Sequence, residues 1–299
     1  MNSFIQQAPE VFLLKVPMGG IWTGVYLVKD GDNAFLIDSG PDAQSVDNVI
    51  VPALAELGLA PKDITCLLAT HTHGDHVGGH YRLRELGVKA IACLRHSAEK
   101  IRDPLKYAKL IRAKFPQDSP PASSSLRGVE PDFTLEDEES IGPIQFFHAP
   151  GHDDDTAVIL HTPSKALLTG DSFQADGTIV QGCALYMKLP EYRRTLGRIA
   201  SLKPSAIIPG HEFIPFNADF PNTTGKAAAA IEITKNLLGT YEAFIIAQMQ
   251  TGCDDQKEIA KNLIRFRGGT IPEFLFLALY TTTEHIQEIK SYNLIPEQE

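Results

Sequence analysis

Short apolar runs separated by turn residues dominate the first part of the chain. Runs rich in β-branched and aromatic residues predict strands at 11–17, 25–29 and 34–38. The turn Asp30-Gly31-Asp32-Asn33 predicts a hairpin between the last two of these strands. Apolar residues then recur at helical spacing over 43–57, and an apolar run at 64–69 predicts the next strand.

The alternation of helical and strand patterns continues beyond this point. Helices are predicted at 79–86 and 97–115, and strands at 89–94, 144–148, 157–161, 166–168 and 206–208. The final part of the chain is helical by its spacing, around 231–249, at 256–266 and at 272–291. We therefore expect an α/β domain over residues 1–224 and a helical C-terminal segment over 225–299 packed on its core.

Three segments have more than one interpretation. The stretch 97–132 includes a proline- and serine-rich part, so it is either a cap inserted over a site or a plain connector. The C-terminal helices either support the core or form a pocket wall or a homodimer surface. The predicted glycine-rich loop at 18–24 carries Trp22, which either covers a substrate or packs on the sheet.

Ligand-type side chains are concentrated directly after the strand at 64–69. His71, His73, Asp75 and His76 fall within six residues of one another. Alternate residues of an extended segment point the same way, so His71 and His73 can bind one cation, while Asp75 and His76 beyond Gly74 can reach a second. Imidazole and carboxylate suit zinc, iron or manganese, and the absence of a thiolate disfavours softer metals.

Three more ligand-type residues stand near the ends of later predicted strands. These are His152, Asp171 and His211, and each follows a glycine that lets the backbone approach a metal closely. Asp38 ends the strand at 34–38, where a carboxylate either caps a turn or supports the site. Of the acidic residues after His152, Asp153 and Asp154 are expected in a turn, with one of them able to hydrogen-bond a metal-bound histidine.

Composition narrows the class of protein further. The 299-residue chain has a formal net charge of -10, and its lysines and arginines are dispersed, which argues against a nucleic-acid partner. The four cysteines are far apart in sequence, which favours a reducing compartment over a disulfide framework. No apolar run reaches membrane-spanning length, so we expect a soluble cytoplasmic protein that acts on a small molecule.

The order and spacing of the ligand-type residues resemble those of the metallo-β-lactamase superfamily, from about residue 11 to 215. The resemblance implies a four-layer αβ/βα sandwich with metals at the edge between two sheets. It implies His71, His73 and His152 on one divalent metal, Asp75, His76 and His211 on the other, and Asp171 bridging both. Asp38 matches the family's first acidic motif, which orients ligands.

Departures from subgroup patterns narrow the implied activity. Asp171 stands where the commonest metal-dependent β-lactamases have cysteine, and His73 where flavo-diiron oxidoreductases usually have glutamate. What remains resembles glyoxalase II type thioesterases and acyl-homoserine lactonases. The lactonase tyrosine just after Asp171 is absent, although Tyr186 could enter the pocket from further along the chain.

The predicted function is hydrolysis of an ester, thioester or lactone of a small acyl substrate. Two metal ions, zinc first and iron or manganese as alternatives, would lie ~3.5–4 Å apart and hold a bridging hydroxide that attacks the carbonyl. Asp75 is the candidate for moving the proton. A phosphodiesterase using Lys188 or Arg193, and an iron-dependent oxidoreductase, are the alternative functions.

Overall fold

The computed structural model describes residues 2–216 and 224–292. Two β-sheets form its centre. The first sheet has seven strands in the order β1-β2-β3-β4-β5-β6-β7, with β1 to β4 antiparallel and β4 to β7 parallel. Its strands are β1 (Ile5–Ala8), β2 (Val11–Met18), β3 (Ile21–Asp30), β4 (Asn33–Ile37), β5 (Cys66–Leu68), β6 (Ile91–Leu94) and β7 (Phe133–Leu135).

The second sheet has five strands in the order β12-β11-β10-β9-β8. Strands β8 to β11 are antiparallel to their neighbours, while β11 and β12 run parallel. The strands are β8 (Ser140–Ile141), β9 (Ile144–His148), β10 (Ala157–His161), β11 (Ala166–Gly170) and β12 (Ala206–Pro209).

Helices cover the outer faces of both sheets. The α-helices are α1 (Ala43–Ser45), α2 (Val51–Glu56), α3 (Gly74–Val77), α4 (His80–Glu85), α5 (Ala98–Arg102), α6 (Pro104–Ala113), α7 (Leu189–Ser201), α8 (Thr224–Gln250), α9 (Gln256–Phe266) and α10 (Phe276–Ser291). A π-helical stretch, Val46–Ile50, joins α1 to α2, and short 3-10 turns lie at Pro61–Asp63 and Arg95–Ser97. Among the described residues, no helix combines the length and the apolar character needed to cross a membrane.

Alternation of side chains along the strands divides the interior into layers. On β3, Tyr26 and Val28 belong to the core between the two sheets, whereas Val25 and Leu27 belong to the core under the helices of the first half. This division follows from the period of two in a strand, since successive side chains point to opposite faces of a sheet. The predicted four-layer αβ/βα sandwich is confirmed.

The C-terminal helices form part of the outer layer over the second sheet. Tyr241 of α8, Leu263 of α9 and Leu279 of α10 are buried in the same core as Val158 of β10 and Leu196 of α7. These helices therefore share one hydrophobic core with the sheet.

Several predicted elements differ in detail from the structure. The stretch 97–115 contains two helices, because the backbone of Asp103 is not helical. The Asp103 side chain caps α6 by accepting from the Lys106 N–H, and Pro104 lies in the first turn of α6. The predicted loop at 18–24 is wrong from Ile21 onward, because β2 and β3 pair up to Met18 and Ile21 around a tight Gly19-Gly20 turn with positive φ at both glycines. The sequence pattern also missed α7.

Gly78 packs against the backbone and offers a test of this fold. A β-carbon there would lie 1.9 Å from the Pro41 carbonyl oxygen, so we expect Gly78→Ala to lower the free energy of unfolding by about 2–4 kcal/mol. Gly197 in α7 has open space at its β-carbon position. The control Gly197→Ala should be neutral or stabilising by up to about 1 kcal/mol, because alanine favours the helix. Urea denaturation measures the free energy of unfolding of both variants. Equal values for Gly78→Ala and Gly197→Ala would contradict the close packing at Gly78.

Candidate metal centre

The ends of strands from both sheets deliver the candidate ligands to one edge of the sandwich. His71 and His73 follow β5, and Asp75 and His76 lie in the short helix α3 that starts directly afterwards. His152 follows β9, Asp171 follows β11 and His211 follows β12. Because parallel neighbours end on the same side of a sheet, β11 and β12 place Asp171 and His211 beside each other.

The first group consists of His71, His73 and His152. Their ligand atoms all lie within 4.8 Å of one another, and His73 Nδ1 is 3.0 Å from His152 Nε2. The His71 and His73 ring centroids are 4.6 Å apart, and the ring planes are inclined by 68°. This arrangement points three imidazoles at one small volume, which is the geometry that a single cation requires.

The second group consists of Asp75, His76 and His211. His76 Nε2 lies 3.3 Å from His211 Nε2, and Asp75 Oδ2 lies 3.2 Å from His211 Nε2. The three ligand atoms again lie within 4.8 Å of one another.

Asp171 stands between the two groups. Its Oδ1 is 3.5 Å from His76 Nε2 and 3.4 Å from His211 Nε2, while its Oδ2 is 3.5 Å from His152 Nε2. One carboxylate oxygen therefore faces each group.

The residues present fit a pair of divalent cations. His71 Nε2 and Asp171 Oδ1 are buried, and no atom of the described residues shares a hydrogen bond with either. A buried polar atom without a partner costs about 1–3 kcal/mol, and coordination of a cation would remove that cost. The donor set of imidazoles and carboxylates suits zinc, iron or manganese, as the sequence predicts.

The protonation preferences differ among the rings of the site. Burial and the neighbouring His76 hold the pKa of His71 well below its usual range, and burial lowers the pKa of His152 to about 4. Both rings therefore stay neutral and keep a lone pair for a metal. Burial opposes charging of His211 as well, but the Asp171 and Asp75 carboxylates outweigh it and raise the pKa to about 10. Without a cation, protons on His76 and His211 can offset the charge of the neighbouring carboxylates, and bound cations would displace these protons.

Asp38 links Thr70 to the His76 ring through its carboxylate. It accepts hydrogen bonds from the Thr70 backbone N–H and hydroxyl, both at 2.8 Å, and its Oδ2 lies 2.8 Å from His76 Nδ1. Its backbone has a φ of 63°, a left-handed conformation that costs energy outside glycine. Because Nδ1 of His76 is held by Asp38, its Nε2 is left to face the second group.

Main-chain carbonyls orient two more rings. His211 Nδ1 lies 2.7 Å from the Trp22 carbonyl oxygen, and His152 Nδ1 lies 3.1 Å from the Leu185 carbonyl oxygen. Gln174 Nε2 lies 3.2 Å from both His152 Nδ1 and Asp171 Oδ2.

A buried lysine connects the 97–132 segment to the site. Lys100 of α5 donates to Asp153 Oδ1 at 2.8 Å and to Asp155 Oδ1 at 3.3 Å, and it also contacts Asp154. Asp153 Oδ2 in turn lies 3.1 Å from His73 Nε2. Since Nδ1 of His73 faces His152, the Asp153 contact fixes the opposite nitrogen of the ring.

Sequence and structure comparisons relate this chain to known proteins. The sequence profile of the metallo-beta-lactamase superfamily matches residues 23–211. The chain belongs to the metallo-beta-lactamase superfamily. The resemblance predicted from the ligand spacing is therefore confirmed.

Curated relatives within the superfamily are distant and longer than the matched stretch. The Beta-lactamase-like protein 2 homolog of Drosophila melanogaster is 29% identical over 197 residues, covering 63% of this chain and 58% of that protein. The probable metallo-hydrolase YqjP of Bacillus subtilis is 26% identical over 220 residues, covering 62% and 66%. The Atrochrysone carboxyl ACP thioesterase dmxR1 of Cryptosporiopsis is 25% identical over 157 residues, covering 52% and 40%.

A solved structure extends the likeness to nearly the whole fold. A metallo-beta-lactamase family protein of Thermus thermophilus superposes with a TM-score of 0.72, covering 94% of each chain at 21% sequence identity. The shared fold therefore includes the C-terminal part of the chain. The chain spans less than two thirds of the length of these curated relatives, one of which is named as a probable metallo-hydrolase.

A cavity of about 400 Å³ opens onto the candidate ligands. The 97–132 segment contributes a large part of its wall, with Tyr107, Ala108, Ile111, Arg112, Ser123, Ser125 and Leu126. Phe276 and Leu277 at the start of α10 contribute as well. Both segments whose roles the sequence left open therefore border the cavity.

The two residues predicted to contact substrate do not line this cavity. The Trp22 side chain packs in the core between the sheets, so only its carbonyl takes part in the site, through His211. Tyr186 is fully buried, and its hydroxyl lies 2.7 Å from His285 Nε2.

Sequence reasoning missed Lys100, Arg112 and Gln174. The run of three aspartates after His152 signals that a cation is needed nearby, but no sequence feature selects Lys100 from the other lysines. Arg112 is one position in an amphipathic helix, where an arginine usually faces solvent.

Removal of the carboxylate between the two groups tests the ligand set. We expect Asp171→Ala to lose most of its bound metal, because both groups lose their shared oxygen ligand and the local negative charge falls. Metal content of the purified protein by mass spectrometry measures the effect, with Asp32→Ala in an exposed turn as the control. An Asp171→Ala protein that keeps two metals and full hydrolytic activity would show that the assignment is wrong.

Loss of the Lys100 ammonium tests the link between α5 and the site. We expect Lys100→Met to lower the free energy of unfolding by about 3–5 kcal/mol at pH 7, because two buried carboxylates lose their cation. Burial raises the pKa of Asp155, so this carboxyl can take up a proton as the pH falls. The loss of stability caused by Lys100→Met should therefore be smaller at pH 5 than at pH 7.

Chemical denaturation at both pH values measures the effect of this substitution. Lys235 forms a surface pair with Glu232, and Lys235→Met should change stability by less than about 0.5 kcal/mol. Equal effects for the two lysines would contradict the structural role of Lys100.

Proposed function

We propose that this protein is a dinuclear metal hydrolase that cleaves an ester, thioester or lactone of a small acyl substrate. The observation that carries the proposal is the pair of buried ligand groups sharing Asp171 at the mouth of a cavity with largely apolar walls. Such a cavity suits an apolar acyl group with its carbonyl at the polar end. A relative named as an acyl carrier protein thioesterase supports this substrate class.

The cations and the protein side chains would have different roles in the reaction. Two bound divalent cations, with zinc as the expected metal, would supply a hydroxide nucleophile at neutral pH and polarise the carbonyl oxygen. His71, His73 and His152 would hold one cation, Asp75, His76 and His211 the other, and Asp171 both. Asp38, Asp153 and the Trp22 and Leu185 carbonyls fix the ring orientations.

Asp75 is the group we assign to proton transfer. Its side chain is 26% exposed, whereas Asp171 is 4% exposed, so Asp75 reaches the cavity more freely. Burial alone would raise the pKa of Asp75, but His76 and His211 hold it well below its usual range. Ionised at neutral pH, it can accept a proton from the nucleophile and pass it to the leaving group.

The alternative phosphodiesterase function has less support. Neither Lys188 nor Arg193 lines the cavity, and Arg193 is paired with Glu242 and Glu288 at 2.6 and 2.7 Å. Phosphoryl transfer is helped by several cationic groups around the phosphate. Of the side chains that line this cavity in the described part of the chain, Arg112 is the one lysine or arginine.

A substrate panel tests the proposed function. The protein as purified should contain two equivalents of divalent metal and hydrolyse members of a panel of thioesters, esters and lactones, while phosphodiesters remain intact. Asp75→Asn should lower kcat per bound metal by about 10²–10⁴, because the carboxylate base is gone. A well-folded sample with no metal, or with activity confined to phosphodiesters, would overturn the proposal. A sample that contains iron and catalyses a redox reaction would favour the alternative oxidoreductase function.

A further inference from the structure

Arg112 differs from most arginines of the described chain in having no acidic partner. Those that form ion pairs are Arg82, Arg84, Arg95, Arg102, Arg193, Arg194, Arg198 and Arg267. Arg112 has no carboxylate within ion-pair distance among the described residues, although it lines a cavity that also contains Asp42, Asp75, Asp153 and Asp171.

The contacts of Arg112 hold the side chain without neutralising its charge. One terminal nitrogen donates to the Ala108 carbonyl oxygen at 2.9 Å, and the guanidinium carbon lies 5.6 Å from the Phe276 ring centre. Its Nε is buried and donates to no atom of the described residues. The guanidinium of Arg112 therefore has N–H donors that remain available to another acceptor. Because an unpaired buried charge is costly, an acceptor that used these donors would be favoured.

Part of the cavity wall that includes Arg112 is apolar. Ile111, Leu126, Leu185, Met187 and Phe276 line the same cavity. A charged arginine in such surroundings retains its proton, although burial lowers the pKa of Arg112. An anionic group would find here a cation with unused donors and with no carboxylate of the described residues within ion-pair distance.

We infer that the acyl substrate carries a carboxylate, or an oxyanion of similar shape, which Arg112 binds at a distance from the scissile carbonyl. This inference rests on the proposed hydrolase function for the position of the carbonyl. An apolar segment joins the two polar ends of the substrate and lies along the wall between Arg112 and the candidate metal ligands. Arg112 is thus a specificity-determining residue, and it takes no part in the bond cleavage.

A matched pair of chromogenic esters tests the inference. The mono-4-nitrophenyl ester of adipic acid carries a carboxylate where 4-nitrophenyl hexanoate carries a methyl group. The protein should favour the adipate ester in kcat/KM, and Arg112→Met should reduce that preference by about 10- to 100-fold, because a charge-assisted hydrogen bond is lost. Activity on the hexanoate ester should stay within about threefold.

Two further variants separate charge from structure. Arg112→Lys keeps the charge without the planar fork and should retain part of the preference. Arg194, an exposed residue of α7 paired with Glu191, provides the control Arg194→Met, which should keep the full preference. Thermal unfolding of each variant checks that the fold is intact. Loss of activity on both esters by a folded Arg112→Met protein would contradict a role confined to specificity.

A binding measurement separates this inference from the proposed function. Hexanesulfonate is an apolar chain with an oxyanion that coordinates metals weakly, and calorimetry should show binding to the wild-type protein that Arg112→Met weakens at least tenfold. If it binds in this way while no ester is cleaved, the anion site stands and the hydrolase proposal fails. If esters are cleaved without preference and hexanesulfonate binds both proteins equally or not at all, the inference is overturned and the hydrolase proposal stands.

Discussion

The concentration of charge at one buried sheet edge is the constraint on which the rest of this structure depends. Five imidazoles and the carboxylates of Asp38, Asp75 and Asp171 meet there, and the closest ligand-atom pairs are only 3.0 to 3.5 Å apart. Buried carboxylates need cations or protons, and buried imidazoles need acceptors. The Asp171 and Asp75 carboxylates raise the pKa of His211 to about 10, so a proton on this ring can offset part of their charge when no cation is bound. Two divalent cations would meet this need with stronger bonds.

The ligand rings are held in place by atoms from distant parts of the chain. Asp38 from the end of β4, the Trp22 carbonyl of β3 and the Leu185 carbonyl before α7 each contact one ring. Each contact fixes one nitrogen, so the other nitrogen is directed at the shared volume. The sandwich fold supplies these partners, because strands of both sheets end at the same edge.

The segments outside the sheets shape the route to this edge. The 97–132 segment is joined to the ligands through Lys100, Asp153 and His73, and it also supplies Arg112 to the cavity wall. The start of α10 completes the wall beside Arg112 with Phe276. A change in either segment therefore bears on the orientation of a candidate ligand or on the shape of the cavity.

The sequence by itself determined the features that depend on local pattern. His71, His73, Asp75 and His76 follow an apolar run within six residues, and His152, Asp171 and His211 each follow a strand and a glycine. The superfamily could therefore be predicted, and so could the set of candidate ligands that the fold brings together. The strand at 144–148 and the helix at 256–266 were predicted with their observed limits, because their apolar periodicity is strong.

Only the tertiary structure decided the contacts between residues far apart in the chain. Lys100 and Asp153 are 53 positions apart, and Trp22 and His211 are 189 apart, so no periodic signal connects them. One of the two interpretations of Trp22 was a side chain that covers a substrate. Its backbone carbonyl makes the contact with the site instead, because β3 turns the ring into the core between the sheets. The identity of Arg112 as an unpaired cation could be seen only once its surroundings were known, since pairing depends on which acids the fold brings near it.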